Sequence, residues 1–199
     1  ISKNINNGNI KNAHLITRIH PLFYKLNDDT NEYEFSSALK VFKELEKKYD
    51  CLSVDYPKIT SMKQNFEMNK NEQSHLKNLI IKSDVIINVY STLNIEGAIF
   101  DKPLINIDFD DFEPMYKWNK KFERQSLSID RALDHNARIM NYNAISNVIN
   151  EDELIKKINQ YLENPSYKSK DREVISEKEA GPNKGSSGKF ISKDIISLL

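Results

Sequence analysis

The sequence predicts an α/β fold, a parallel sheet with helices wound on both of its faces. Three observations carry that expectation. The run DVIINVY at 84–90 is apolar on both faces, as a central strand of a parallel sheet is. Apolar residues recur at helical spacing at Phe35, Leu39, Phe42 and Leu45, and again at Leu154, Ile155, Ile158 and Leu162. Strand-like and helix-like segments alternate along the chain with short polar connections between them.

Taken in order, the first apolar segment is HLITRI at 14–19, short and strand-compatible, ending at His20-Pro21. A polar loop follows, and residues 33–48 read as an amphipathic helix. CLSVDYP at 51–57 is a brief strand closed by its proline. His75, Leu76, Leu79 and Ile80 share one face of a short helix that ends near Ser83. After the strand at 84–90, Ser91 and Thr92 begin a helix running through Phe100. Lys102-Pro103 breaks that helix, and LINIDFD at 104–110 is the next strand.

Residues 109–136 are rich in aromatics and have no clean period. ARIMNYN at 137–143 reads as another short strand, and residues 151–162 as a helix stopped by Asn164-Pro165. The polar stretch beyond it, with Gly181, Gly185 and Gly188, reads as a surface loop. A last apolar helix spans 190–199. It carries more apolar residues than one face needs, and is expected either to self-associate or to cover the edge of its own core.

Composition bounds the function. The 199 residues fit one ordinary domain, and 39% hydrophobic residues suffice for a packed core. Twenty-nine basic residues balance 29 acidic ones, so no net field steers nucleic acid, and the cluster Lys117, Lys120, Lys121 and Arg124 reads as a solvated helix face. The single cysteine, Cys51, excludes an internal disulfide and fits a reducing compartment. No apolar run reaches the roughly 18 residues of a membrane span, and residues 1–11 lack a signal-peptide pattern. The chain begins at Ile1 without an initiator methionine, as a piece of a longer protein would.

The chemistry concentrates in NVYSTLNIEGAIFDKPLINID at 88–108. A strand ends at Tyr90, and Ser91-Thr92 occupies the turn into a helix whose first N–H groups carry partial positive charge. Two hydroxyls there can donate to a phosphate that the N–H groups attract. In an open α/β sheet the carboxyl ends of the strands are also where ligands bind. Glu96 lies one turn further, where a carboxylate can accept from the hydroxyls of a ribose. The alternative is plain: Ser91 or Thr92 caps the helix and Glu96 is solvated. His20 and His135 are further candidates, whereas His14 and His75 read as surface or packing residues, and the role of Arg18 is open. Asp108, Asp110 and Asp111 crowd a strand end, where a polar loop is the simpler reading than a divalent-cation site. No P-loop, GxGxxG or Ser-His-Asp ordering is present.

The order Ser-Thr, three residues, Glu-Gly-Ala, then Asp-Lys-Pro and an apolar strand resembles the donor-binding segment of GT-B-fold transferases. It is most similar to CDP-glycerol glycerophosphotransferase-like enzymes and to capsule or surface-polysaccharide transferases. TRIHP at 17–21 is similar to the Arg-x-His-Pro segment that opens the C-terminal domain in those enzymes, and 131–165 resembles their His, variable strand and Glu-Leu helix ending Asn-Pro. Sialyltransferases and Kdo transferases of the same broad fold pair His-Pro with a Ser-Ser or Ser-Thr motif around the phosphate of a CMP-sugar.

The resemblance implies a Rossmann-like doubly wound domain over 1–199, the C-terminal half of a GT-B enzyme whose N-terminal acceptor domain this chain lacks. Ser91, Thr92 and His20 would hold the donor phosphates, with His135 as a second histidine at the same phosphates and Glu96 on the ribose. His20 and His135 would be the catalytic groups, stabilising the departing phosphate, while the acceptor base would come from the N-terminal domain. The implied substrates are a nucleotide-activated sugar or polyol, with CMP or CDP favoured, and a surface-polymer acceptor. No cofactor and no metal is called for. The intact enzyme would be cytoplasmic, with peripheral association at the inner face of the membrane as a further expectation. A UDP-sugar 2-epimerase shares the fold and a similar Ser/Glu segment, and a non-catalytic nucleotide-binding domain is the rival from another class.

Overall fold

A computed structural model of the chain describes residues 1–20, 36–58, 68–109 and 127–198. The fold is α/β with parallel strands, as in Rossmann-like half-domains, and the strands form two small sheets. The chain divides into two compact units, with the boundary after Leu79.

The first unit holds α1 (Ser2–Asn6), β1 (Leu15–Arg18), α2 (Ser36–Lys48), β2 (Leu52–Asp55) and all but the last residues of α3 (Lys70–Lys82). β1 and β2 pair in parallel from Leu15 opposite Leu52 to Arg18 opposite Asp55. Alternation along β2 sends Leu52 and Val54 inward and Ser53 outward. The inward pair joins Ile19 and Leu39 in a core flanked by Leu15, Phe42, Leu45, Tyr49 and Tyr56. Leu39, Phe42 and Leu45 are three apart, so α2 lays one stripe on the sheet. Its Glu46 carboxylate also accepts from the Val54 N–H at 2.7 Å.

At the carboxyl ends of β1 and β2, the Arg18 guanidinium donates to both Asp55 and Glu72. His75 reaches the second oxygen of Asp55 at 2.9 Å, and His14 meets the Ser53 hydroxyl at 2.8 Å. Both histidines therefore have specific polar partners. Arg18 is committed to tying α3 onto the strand ends.

The second unit holds β3 (Ile86–Asn88), α4 (Leu93–Ile99), β4 (Leu104–Ile107), α5 (Leu127–Ala132), α6 (Asp134–Met140), β5 (Ser146–Val148), α7 (Glu151–Glu163), α8 (Ser169–Ala180) and α9 (Ser187–Ser197). Its parallel sheet runs β3-β4-β5. The strand at 84–90 is expected to be central; in this sheet the middle position belongs to β4, whose Leu104, Ile105 and Asn106 are wholly buried. α7 begins as its sequence dictates. The Asn150 side chain accepts from the Glu153 N–H at 2.8 Å, and Glu151, Asp152 and Glu153 place negative charge on the first turn.

Two expectations are corrected here. ARIMNYN at 137–143 is not a strand: most of it lies in α6, and β5 follows it at Ser146–Val148. Asn136 and Ile139 bury at a spacing of three, Asp134 sits in the first turn, and Asn143 turns the chain with a positive φ of 56°. The polar stretch beyond residue 165 is not all loop either, because α8 occupies much of it. Its buried residues are Arg172, Ile175 and Ser176, so its inner face is only one-third apolar and hydrophobic periodicity does not reveal it. Arg172 is wholly buried, donating to Asp101 at 2.8 Å and to the carbonyls of Tyr167 and Pro165 at 2.6 and 2.8 Å.

The last helix does not cover the edge of its own core. α9 has no buried residue, and Phe190, Ile191, Ile195, Ile196 and Leu198 are all exposed.

Candidate functional site

The second unit builds its polar edge at the carboxyl ends of β3, β4 and β5. β3 stops at Asn88, and two residues later Tyr90 adopts a positive φ of 38°. That conformation places the Cβ of an L residue against its own backbone and costs about 1–2 kcal/mol. The surroundings hold it there: the Tyr90 ring is buried, and its hydroxyl accepts from Arg131 Nε at 3.2 Å and Asn147 Nδ2 at 3.5 Å. Arg131 also pairs with Asp108, which follows β4. Tyr90, Asp108, Arg131 and Asn147 thus join the chain just past β3 and β4 to β5. Burial raises the Tyr90 pKa, and the Asp108 carboxylate raises that of Arg131, so the phenol is neutral and the guanidinium charged.

The sharp turn at Tyr90 presents Ser91 and Thr92 at the start of α4. The Ser91 hydroxyl accepts from the Leu93 N–H at 3.2 Å, so it closes a local turn. Thr92 is the N-cap residue, is exposed and makes no side-chain cap bond. Ser91 thus holds the turn ahead of the helix, and Thr92, at the N-cap position, makes no cap bond. Glu96 lies in the first turn of α4, half-buried. Its carboxylate has no hydrogen-bond or ion-pair partner among the described residues, and burial raises its pKa. It is not a freely solvated surface acid.

α4 lies close on the sheet because its inward face is Asn94, Gly97 and Ala98. A Cβ on Gly97 would stand 2.6 Å from a Leu104 methyl and 2.9 Å from an Ile86 methyl, which explains why the Glu-Gly-Ala run has glycine there. Beneath the helix an amide ladder runs from Asn88 to Asn94 at 2.9 Å and from Asn94 to Asn106 at 3.2 Å. The buried Oδ1 of Asn88 ends that ladder with no partner among the described residues.

His135 is exposed in the first turn of α6, within the same unit, and no hydrogen bond joins it to Ser91, Thr92 or Glu96. His20 belongs to the first unit, two residues beyond β1, and is exposed. Partial desolvation by its neighbours lowers its pKa below the ordinary histidine value. Asp108 is occupied by Arg131, and Asp110 and Asp111 lie outside the described residues.

Tyr90, Arg131 and Asn147 are absent from the sequence-derived set. Arg131 stands in the RALDH run singled out for its histidine, and nothing in its spacing marks it. A tyrosine ending a strand gives no sequence sign of a positive φ. Comparison with protein-family models, with curated proteins and with solved structures gives no match for this chain.

Proposed function

We propose that this chain supplies the donor-binding half of a GT-B-type transferase, which moves a glycosyl or glycerol-phosphate unit from a nucleotide-activated donor to a surface-polysaccharide or teichoic-type acceptor. The observation that carries this reading is Glu96, a half-buried carboxylate without a partner among the described residues, one turn past the Ser91-Thr92 turn at the carboxyl edge of a parallel sheet. Burying an unpaired acid is unfavourable, and the hydroxyls of a ribose would relieve it. Thr92, whose hydroxyl makes no cap bond, is the better phosphate donor of the pair, and Ser91 shapes the turn.

His20 and His135 are assigned to the donor phosphates by the resemblance alone. The acceptor base and the acceptor site belong to an N-terminal domain of the intact enzyme, which acts peripherally at the inner face of the membrane. No helix among the described residues is long and apolar enough to cross a membrane.

Thermal shift with CMP, CDP, UDP, GDP and ADP tests this. CMP or CDP is expected to stabilise the chain most, by about 2.7 kcal/mol at 100 times the dissociation constant. Stabilisation by ADP or GDP alone overturns the cytidine assignment, and no response to any nucleotide overturns the donor-site reading. The chain by itself is expected to show no transfer.

A further inference from the structure

The arginine that pins Tyr90 is itself held along one edge only. Arg131 Nε donates to the Tyr90 hydroxyl at 3.2 Å, and Nη2 donates to Asp108 Oδ1. A guanidinium carries five N–H groups in a fixed planar fork. These two bonds take the Nε–Nη2 edge, so one N–H on Nη2 and both on Nη1 have no partner among the described residues. The Arg131 side chain is 54% exposed, whereas that of Asp108 is only 7% exposed. The carboxylate therefore anchors the guanidinium from the buried side and leaves its Nη1–Nη2 end open.

Two features indicate what the open end takes. The first is its chemistry. Two parallel N–H groups on a cation match two oxygens of a single carboxylate or phosphate, and the match is bidentate. Tyr90 and Asp108 hold the fork in place before any ligand arrives, so little rotamer freedom remains to be lost on binding. The second feature is place. Tyr90 and Asp108 lie just past β3 and β4, and Asn147 lies in β5, at the carboxyl ends where parallel sheets bind ligands. Exposed apolar residues stand beside this network in the chain: Val89 before Tyr90, Leu133 after Arg131 and Ile149 after Asn147. A few fixed polar groups among apolar ones is the make-up of a small-molecule site. The positive φ of Tyr90 belongs to the same edge, and backbone strain of that kind gathers where ligands are held.

We propose that Arg131 is the anion-binding fork of this edge, its Nη1–Nη2 end taking two oxygens of the donor's phosphate chain while Asp108 and Tyr90 act as its positioning residues. The inference rests on the donor-site reading above, which selects phosphate over carboxylate, and adds to it a cation that the Ser91, Thr92 and Glu96 set lacks.

The test is calorimetric titration of the 199-residue chain with CDP and, separately, with inorganic pyrophosphate, each at low and at raised salt. Arg131→Gln should weaken both ligands by about tenfold or more, the worth of a charge-assisted hydrogen bond. It should also flatten the fall of CDP affinity with salt, because one cation fewer faces the phosphates. Arg131→Lys keeps the charge beside Asp108 but not the fork, and should bind both ligands with intermediate affinity. It also carries the comparison if Arg131→Gln fails to fold by circular dichroism. A loss of CDP affinity with the salt dependence unchanged overturns the proposal, because Arg131 would then only hold Tyr90 in place. Full affinity in Arg131→Lys overturns the fork. CDP binding that Arg131→Gln leaves intact removes this inference alone. Pyrophosphate binding that depends on Arg131, in a chain that ignores every nucleotide, removes only the donor reading. A parent chain that binds neither ligand removes both.

Discussion

Ser91 and Thr92 are adjacent hydroxyls with different duties, and substitution separates them. Ser91→Ala removes the acceptor of the Leu93 N–H and should lower stability by about 1 kcal/mol. Thr92→Ala removes no cap bond, so its stability should stay within about 0.5 kcal/mol while nucleotide affinity falls. Denaturant unfolding and calorimetric titration of both variants check this. A Thr92→Ala chain that binds as before would take Thr92 out of the site. Glu96→Gln adds a pH signature. Because burial raises the Glu96 pKa above 4.5, the ionised carboxylate weakens the fold above its folded pKa. That penalty fades as pH falls through the folded pKa toward 4.5. Glu96→Gln should therefore melt no lower than the parent at pH 7, with any gain vanishing near the bottom of that window. Its nucleotide binding should weaken by about 1.5–3 kcal/mol, the worth of a charge-assisted hydrogen bond. A lowered melting temperature at pH 7 would count against the unpaired carboxylate.

At the scale of elements, what the sequence revealed depended on whether burial was apolar. β1, β2, β3, β4, α2 and α7 were legible because most of what they turn inward is apolar. α8 was not, since its buried face centres on an arginine. β5 was displaced in the reading because the apolar pair Ile139 and Met140 marks a helix turn, while the inward side of β5 itself is Ser146 and Val148. The site divides in the same way. Ser91, Thr92 and Glu96 follow from a strand running into a helix, but Tyr90 and Arg131 are joined by a side-chain bond across 41 residues that no local pattern encodes. α4 also gives an element-scale prediction. Gly97→Ala would drive its methyl into Leu104 and Ile86, both buried, and should cost about 1–3 kcal/mol as the helix lifts from the sheet. Nucleotide binding should weaken in parallel, because Ser91, Thr92 and Glu96 ride on that helix. Equal stability by urea titration would show that the core yields more readily than its packing indicates.

At the scale of the whole chain, one residue of the second unit connects distant parts of the sequence. Arg172 reaches Asp101, at the turn after α4, and the two carbonyls after α7, and no part of it is exposed. Arg172→Met fills much of the space but leaves the carbonyls of Pro165 and Tyr167 without their donor. The expected loss is about 3 kcal/mol, read as a shift of the urea midpoint without a change in slope. A loss below about 0.5 kcal/mol would mean that water replaces the guanidinium freely.

The same arginine imposes an order of events on a chain made from its N-terminus. The three strands of the sheet and α4 are all synthesised before residue 172, yet the turn at Asp101 and the end of α7 receive their guanidinium only once α8 has emerged. Until then the nascent unit holds a strand–helix layer with two carbonyls still in water and the outer side of α4 bare. The unit therefore locks late in translation. A ribosome-released chain ending at residue 166 should be protease-sensitive through 80–109, whereas one ending at 186 should resist as the full chain does.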